Sequence, residues 1–182
     1  MGEPLREPAS LRQLADSGQV IEISAKVADF QRLAESIERD VGAEFPAAMP
    51  GGWRDRSVHG ELHFRYLSPG DETIVMEGVV RTDVPAVCQR CLEVFDYPLA
   101  TTMQLVFEEP GQERSRDGYE TWELPGPSVT PLDIVDEGLV MAMPLAAKHE
   151  ASAACRPAEA AGDDGMTRPF ASLRERMEDK DS

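Results

Sequence analysis

The amino-acid sequence predicts an α+β fold: an antiparallel β meander or partly closed sheet with flanking helices and a C-terminal tail helix. Three observations predict it. Apolar residues alternate over 58–67, 73–84 and 92–107, the period of half-buried strands. Ser68-Pro69-Gly70-Asp71 separates the first two runs with a reverse turn, in which proline presets its own φ and glycine permits a positive one. Helical spacing, by contrast, governs 30–39 and 130–143.

The elements follow in order. Residues 1–18 read as an N-terminal arm with a short helical stretch at 11–15. Val20, Ile21, Ile23 and Val27 mark a first strand. Asp29 stands where it can cap a helix over 30–39, with Phe30, Leu33 and Ile37 on one face. Pro46, Pro50, Gly51 and Gly52 break 43–56 into a loop, and Trp53 is expected to close over an edge of the core. Three strands then face one way through Leu62, Phe64 and Tyr66, through Ile74, Met76, Val80 and Val84, and through Phe95, Leu99, Met103 and Phe107. The charged run 108–118 reads as a loop and 119–124 as a short added strand. Thr130-Pro131-Leu132-Asp133 is a helix start: threonine can cap, proline suits the first position, and Asp133 sits where a capping-box acid belongs. That helix should turn Leu132, Val135, Leu139 and Ala142 inward and stop before Pro144. Asp133, Asp136 and Glu137 favour the positive end of its dipole.

The expected organisation is therefore an arm (1–18), an α+β core domain (19–149), an acidic, alanine-rich disordered linker (150–167) and a tail helix (168–182). In that tail Phe170, Leu173 and Met177 share a face behind Pro169.

Charge restricts the partners. The chain carries 34 acidic and 18 basic residues, a formal net charge of −16. Nucleic acids are held by lysine and arginine neutralising phosphates, so naked RNA is disfavoured unless the cations are grouped. The acidic surface reads either as solvation alone or as a face for a basic partner, such as a ribosomal, RNA-processing or other RNA-binding protein, with ribosomal RNA reached indirectly. Asp133, Asp136 and Glu137, and Pro169, Phe170 and Leu173 in the tail, are the candidate contacts. The first residues lack a secretory signal pattern, and no stretch approaches the ~20 apolar residues of a membrane span. The expected compartment is the cytoplasm, with no membrane partner and no small-molecule substrate implied. No Ser/His/Asp arrangement, glycine-rich phosphate loop or paired-carboxylate motif is present, so the expectation is not an enzyme.

The strongest chemical signal is Cys88-Gln89-Arg90-Cys91 between two strands. Two cysteines two residues apart can present both sulfurs to one point, and His149 and Cys155 would complete a Cys3His set of the kind that holds structural zinc. The chain has 3 cysteines, an odd number, which argues against a disulfide framework. Free thiols in a tight turn and a redox pair are the other readings of the motif. His59 and His63 share a strand face without metal-spaced companions and read as surface residues.

These residues also carry a resemblance. Val87-Cys88-Gln89-Arg90-Cys91-Leu92 resembles the signature of the bacterial YceD family, the large ribosomal RNA subunit accumulation proteins. Leu132-Asp133-Ile134-Val135-Asp136-Glu137-Gly138-Leu139-Val140-Met141-Ala142-Met143-Pro144 resembles its second block, which leads into His149 and Cys155, and Arg168-Pro169-Phe170-Ala171-Ser172-Leu173 its last. The resemblance implies a ribosome-biogenesis factor that supports synthesis, processing or stability of 23S ribosomal RNA without catalysis. Direct RNA binding through arginines such as Arg81 and Arg90 is the alternative. A zinc-dependent hydrolase using Cys88, Cys91 and His149 around an open position is a further one. Gly138 departs from the better helix formers usual at its place, a cost of up to about 1 kcal/mol.

Overall fold

The alternating runs form a five-stranded sheet in the order β1-β2-β3-β4-β5. Its strands are β1 (Val20–Lys26), β2 (Ser57–Tyr66), β3 (Ile74–Val87), β4 (Val94–Glu108) and β5 (Glu120–Glu123). This computed structural model describes residues 5–108, 118–124, 126, 128–149 and 155. The linker expected over 150–167, Cys155 apart, and the tail helix expected over 168–182, with Pro169, Phe170 and Leu173, lie outside the described residues.

The fold is α+β as expected, with two differences in the sheet. The first four strands pair antiparallel, but β5 lies parallel to β4, with Leu105 opposite Glu120. The sheet is open, ending at β1 on one side and β5 on the other. The turn between β2 and β3 forms as read: Gly70 has φ +82° and the Asp71 N–H donates to the Ser68 carbonyl at 3.1 Å.

One face of the sheet is the core. Ile21 and Ile23, Leu62 and Phe64, Met76, Val80 and Val84, and Leu99, Met103, Leu105 and Phe107 are buried there. Three helices supply the other side of that core: α1 (Leu11–Ser17), α2 (Gln31–Ile37) and α3 (Pro131–Met141). Trp53 is buried in the same cluster, closing its edge. The arm is part of the domain. Leu5 is buried, its carbonyl accepts from the Leu132 N–H at 2.9 Å, and Ala9 forms a bridge with Val129. Ser10 caps α1 in a reciprocal box with Gln13.

Capping differs from the sequence reading at the other two helices. Asp29 does not cap α2. Its carboxylate accepts from the Lys26 N–H at 2.8 Å, closing a single 3-10 turn between β1 and α2. Thr130 precedes α3 without a side-chain cap, although Pro131 takes the first position as expected. The start of α2 is capped instead from far away in the chain. Asp136, on α3, accepts from the N–H groups of Arg32 and Leu33, both at 2.9 Å. Orphan helix-start N–H groups need acceptors, and a carboxylate there also meets the positive end of the dipole. The inward face of α3 accordingly runs through Ile134, Val135, Asp136 and Leu139, with Leu132 only half-buried.

Gly138 finds its reason in packing. A Cβ there would sit 2.6 Å from Met103 Sδ, so any larger residue at 138 would make the flexible Met103 side chain shift. Met103 in turn stands opposite Gly78 across the β3–β4 ladder.

On the outer face, Glu77 accepts from Arg65 Nη2 and from the Tyr119 hydroxyl, both at 2.6 Å. Arg65, followed by Tyr119, holds the Glu77 carboxyl below its ordinary range against an opposing contribution from burial. The stability it adds is therefore present above the unfolded glutamate range and is lost as pH falls through the lowered value.

Replacing Asp136 tests the trans cap. Asp136→Ala should destabilise the fold by about 2 kcal/mol, the loss of two hydrogen bonds to a charged acceptor. Asp136→Asn, which keeps one carbonyl acceptor, should lose less. Urea denaturation of both variants measures the difference; equal and negligible losses would show that the cap contributes nothing.

Candidate metal centre

The long β3–β4 hairpin ends in the cysteine turn. Beyond Arg81 it outruns β2 and continues as two strands, to the final pair Val87 and Val94. The turn closes through Cys88 N–H to Glu93 carbonyl at 2.9 Å and Leu92 N–H to Cys88 carbonyl at 2.8 Å. Such closure needs a left-handed residue. Leu92 takes it at φ +60°, alone among non-glycine described residues, at a cost of about 1 kcal/mol. Its side chain is 53% exposed, so burial does not offset that cost.

The chain after α3 returns to this turn. Gln89 donates to the Ala147 carbonyl at 2.9 Å, which aligns 147–149 beside the hairpin tip. The His149 ring stands edge-on to Phe95, centroids 5.1 Å apart. Its Nε2 is 3.1 Å from Cys91 Sγ, and Cys155 Sγ is 3.8 Å from Cys88 Sγ. The four ligand atoms of Cys88, Cys91, His149 and Cys155 lie within 4.8 Å of one another. All four residues read from the sequence as one set are thus brought together, across more than sixty positions of chain. No disulfide joins the cysteines.

The geometry suits a metal of the zinc class. Sulfurs about 2.3 Å from a central ion in a tetrahedron stand about 3.8 Å apart, the length of a tetrahedral edge. Electrostatics point the same way. Burial opposes ionisation of Cys88, but the backbone N–H groups of Cys91, Arg90 and His149 prevail and bring its thiol down to about 6. Burial, with Cys88 and Cys91 as hydrogen-bonding neighbours, pushes Cys155 up to about 11. A divalent cation at the centre would hold every thiolate deprotonated, Cys155 included.

Several features of the centre carry no signal in the sequence. The Ala147 carbonyl registers the returning segment and Phe95 orients the imidazole. Leu92 fills a place where glycine would announce a positive φ. Glu93 approaches Cys91, its carboxylate 3.8 Å from the sulfur.

The other candidate contacts fare differently. Asp133 is exposed on α3. Asp136 is 7% exposed and engaged with α2, which removes it from the surface. Glu137 is half-buried and ion-paired with Arg32. An acidic helix start is a local pattern; which of its carboxylates turns inward depends on where α2 lies. His59 and His63 are both on the outer face of β2, as expected of surface residues.

Among known protein families, the one described as large ribosomal RNA subunit accumulation protein YceD matches residues 76–181, more than half of the 182-residue chain. The match begins in β3 and takes in the cysteine turn, α3 and all four clustered residues. Neither the curated proteins nor the solved structures contain a match. The family's description implies a role in accumulating large-subunit ribosomal RNA. No helix among the described residues is long and apolar enough to cross a membrane.

Exposure orders the three thiols: Cys91 is half-buried, Cys88 and Cys155 are buried. A brief pulse of alkylating reagent on the folded chain should therefore label Cys91 first. Peptide mapping by mass spectrometry reads the order, and urea should erase it. Simultaneous labelling of all three in the folded chain would contradict the packing described.

Proposed function

This chain belongs to the YceD family, and on that premise we propose that it supports the synthesis, processing or stability of 23S ribosomal RNA non-enzymatically, through contacts with a basic ribosomal or RNA-processing protein. The observation that carries the reading is the family match over residues 76–181. The net charge of −16 supports the protein-contact part of it, since an acidic surface is attracted to a basic protein and repelled by RNA phosphates. Asp133 on α3 is an exposed contact candidate; the tail residues Pro169, Phe170 and Leu173 are retained as candidates from the sequence alone. The expected place of action is the cytoplasm.

A structural zinc ion at Cys88, Cys91, His149 and Cys155 belongs to this proposal. Its role is to fix the end of the β3–β4 hairpin to the chain that leaves α3, adding a cross-link to the burial of Cys88 and Cys155. The same arrangement speaks against a zinc-dependent hydrolase. Such chemistry needs a coordination position open to water, and Cys155 stands where that position would be.

Direct RNA binding has one observation in its favour. Arg81 and Arg90 make no ion pair among the described residues, whereas most described arginines do. It predicts affinity for RNA that falls steeply with salt.

Two measurements test the proposal. Deleting the gene should lower 23S ribosomal RNA and large subunits relative to small ones in sedimentation profiles; unchanged profiles would overturn the functional reading. Metal analysis of the purified full chain should find about one zinc per chain, lost in Cys88→Ser together with thermal stability. A folded protein that takes up no zinc would overturn the metal assignment and leave the functional reading standing.

A further inference from the structure

The outer face of the sheet has a polar pattern that the fold does not need. The cross-strand registers arrange it in rows. One row runs Glu22, Glu61, Val79, Thr102 across β1 to β4, and the next runs Val20, His63, Glu77, Gln104. The three helices all pack on the opposite face. Val20 is 52% exposed at the β1 margin. A shallow groove of about 310 Å³ crosses these rows, with Val20, Glu61, Val79 and Thr102 among its walls.

Glu22 and Glu61 stand directly opposite each other in the antiparallel pair, both exposed. Like charges in that position repel at close range and destabilise the ladder. Neither makes an ion pair among the described residues. Glu77, one row away, is already neutralised by Arg65. His63 and Arg81, which makes no ion pair among the described residues, flank the acidic pair on the same face of the sheet. A folding sequence under no other constraint would place a lysine or threonine opposite Glu61. Departures from local rules that lack a structural return mark functional surfaces.

We propose that this open sheet face docks an arginine- or lysine-rich extended segment of a protein partner, whose cations sit between Glu22 and Glu61 and whose apolar side chains lie on Val20 and Val79. This inference rests on the protein-contact reading above and deepens it by naming the surface. Charge complementarity selects the occupant: a cation between the two carboxylates turns a repulsive pair into an attractive triad. Exposed Val20 and half-buried Val79 give such a segment apolar footing, so the surface is more than a charge attractor. The acidic start of α3 contributes less than its composition suggests, because Asp136 is buried and Glu137 is paired.

The proposal makes a paired prediction of opposite sign. Glu61→Gln removes the repulsion, so the free protein should gain about 1–2 °C in melting temperature. The same substitution should weaken a basic partner about fivefold, the worth of one exposed ion pair. The probe is a synthetic extended peptide alternating arginine with valine, titrated into the isotope-labelled full chain and followed by NMR. Saturable shifts confined to β1, the middle of β2 and β3, and Thr102–Gln104, together with both effects of Glu61→Gln, are the expected result. Glu35→Gln, on the exposed side of α2, is the control and should change neither quantity. Peptide shifts centred on α3 or the tail would overturn this surface while keeping the protein-contact reading. A chain that binds no basic peptide, but whose His59–Arg81 row shifts with a short single-stranded RNA, would overturn both.

Discussion

A single carboxylate ties two helices of the core together. Asp136 reaches from α3 to the first N–H groups of α2, and its two oxygens take one each. The interaction is buried and charge-assisted, so losing it would leave polar groups stranded between two helices. It fixes α3 relative to α2 where Gly138 brings α3 close to Met103. The position of α3 then decides where its exit lies, and the exit carries Ala147 and His149 to the cysteine turn. The same α3 that carries this cap also leads the chain to the cluster of Cys88, Cys91, His149 and Cys155.

The two ends of the β3–β4 hairpin are held by different means. At one end the strands sit inside the sheet, backed by the apolar cluster around Phe64, Met76 and Phe107. At the other they leave the sheet and end in a turn with an exposed Leu92 at positive φ. Val84, Ala86 and Cys88 are still buried along the way, so it is the tip around Leu92 that burial leaves unsupported, and the four side chains converge beside it. The N–H groups aimed at Cys88 already favour a thiolate there. Three sulfurs and an imidazole whose ligand atoms lie within 4.8 Å of one another could hold a divalent ion there.

The two faces of the sheet divide the work. The inner face is conventional packing, with glycines where helix and strand must close. The outer face is polar, and its charges are unequally resolved. Glu77, Arg65 and Tyr119 satisfy one another, whereas Glu22 and Glu61 stand opposite each other with no ion pair among the described residues. For a chain with a net charge of −16, the location of the unsatisfied acids matters more than their number.

Much of this was legible in the sequence. Period-two alternation identified β1 to β4 and the faces they bury, because the pleat makes facing a local property. The Ser68–Asp71 turn and the start of α3 at Pro131 were legible for the same reason: φ preferences belong to the residue itself. The Cys88/Cys91 spacing with His149 and Cys155 named the four clustered residues, because two cysteines two positions apart can present both sulfurs to one point, though free thiols and a redox pair fitted the same motif. Tertiary structure decided the rest. The parallel placement of β5 depends on which strand edge is free, and the role of Asp136 on a helix 103 residues away in sequence. Gly138 looked like a weak helix position until Met103 explained it. The convergence of Cys155 on Cys88 likewise required the path of the whole chain. Local sequence determines backbone conformation and facing; only the assembled fold determines which distant polar groups find each other, because that pairing is set by packing and not by neighbours along the chain.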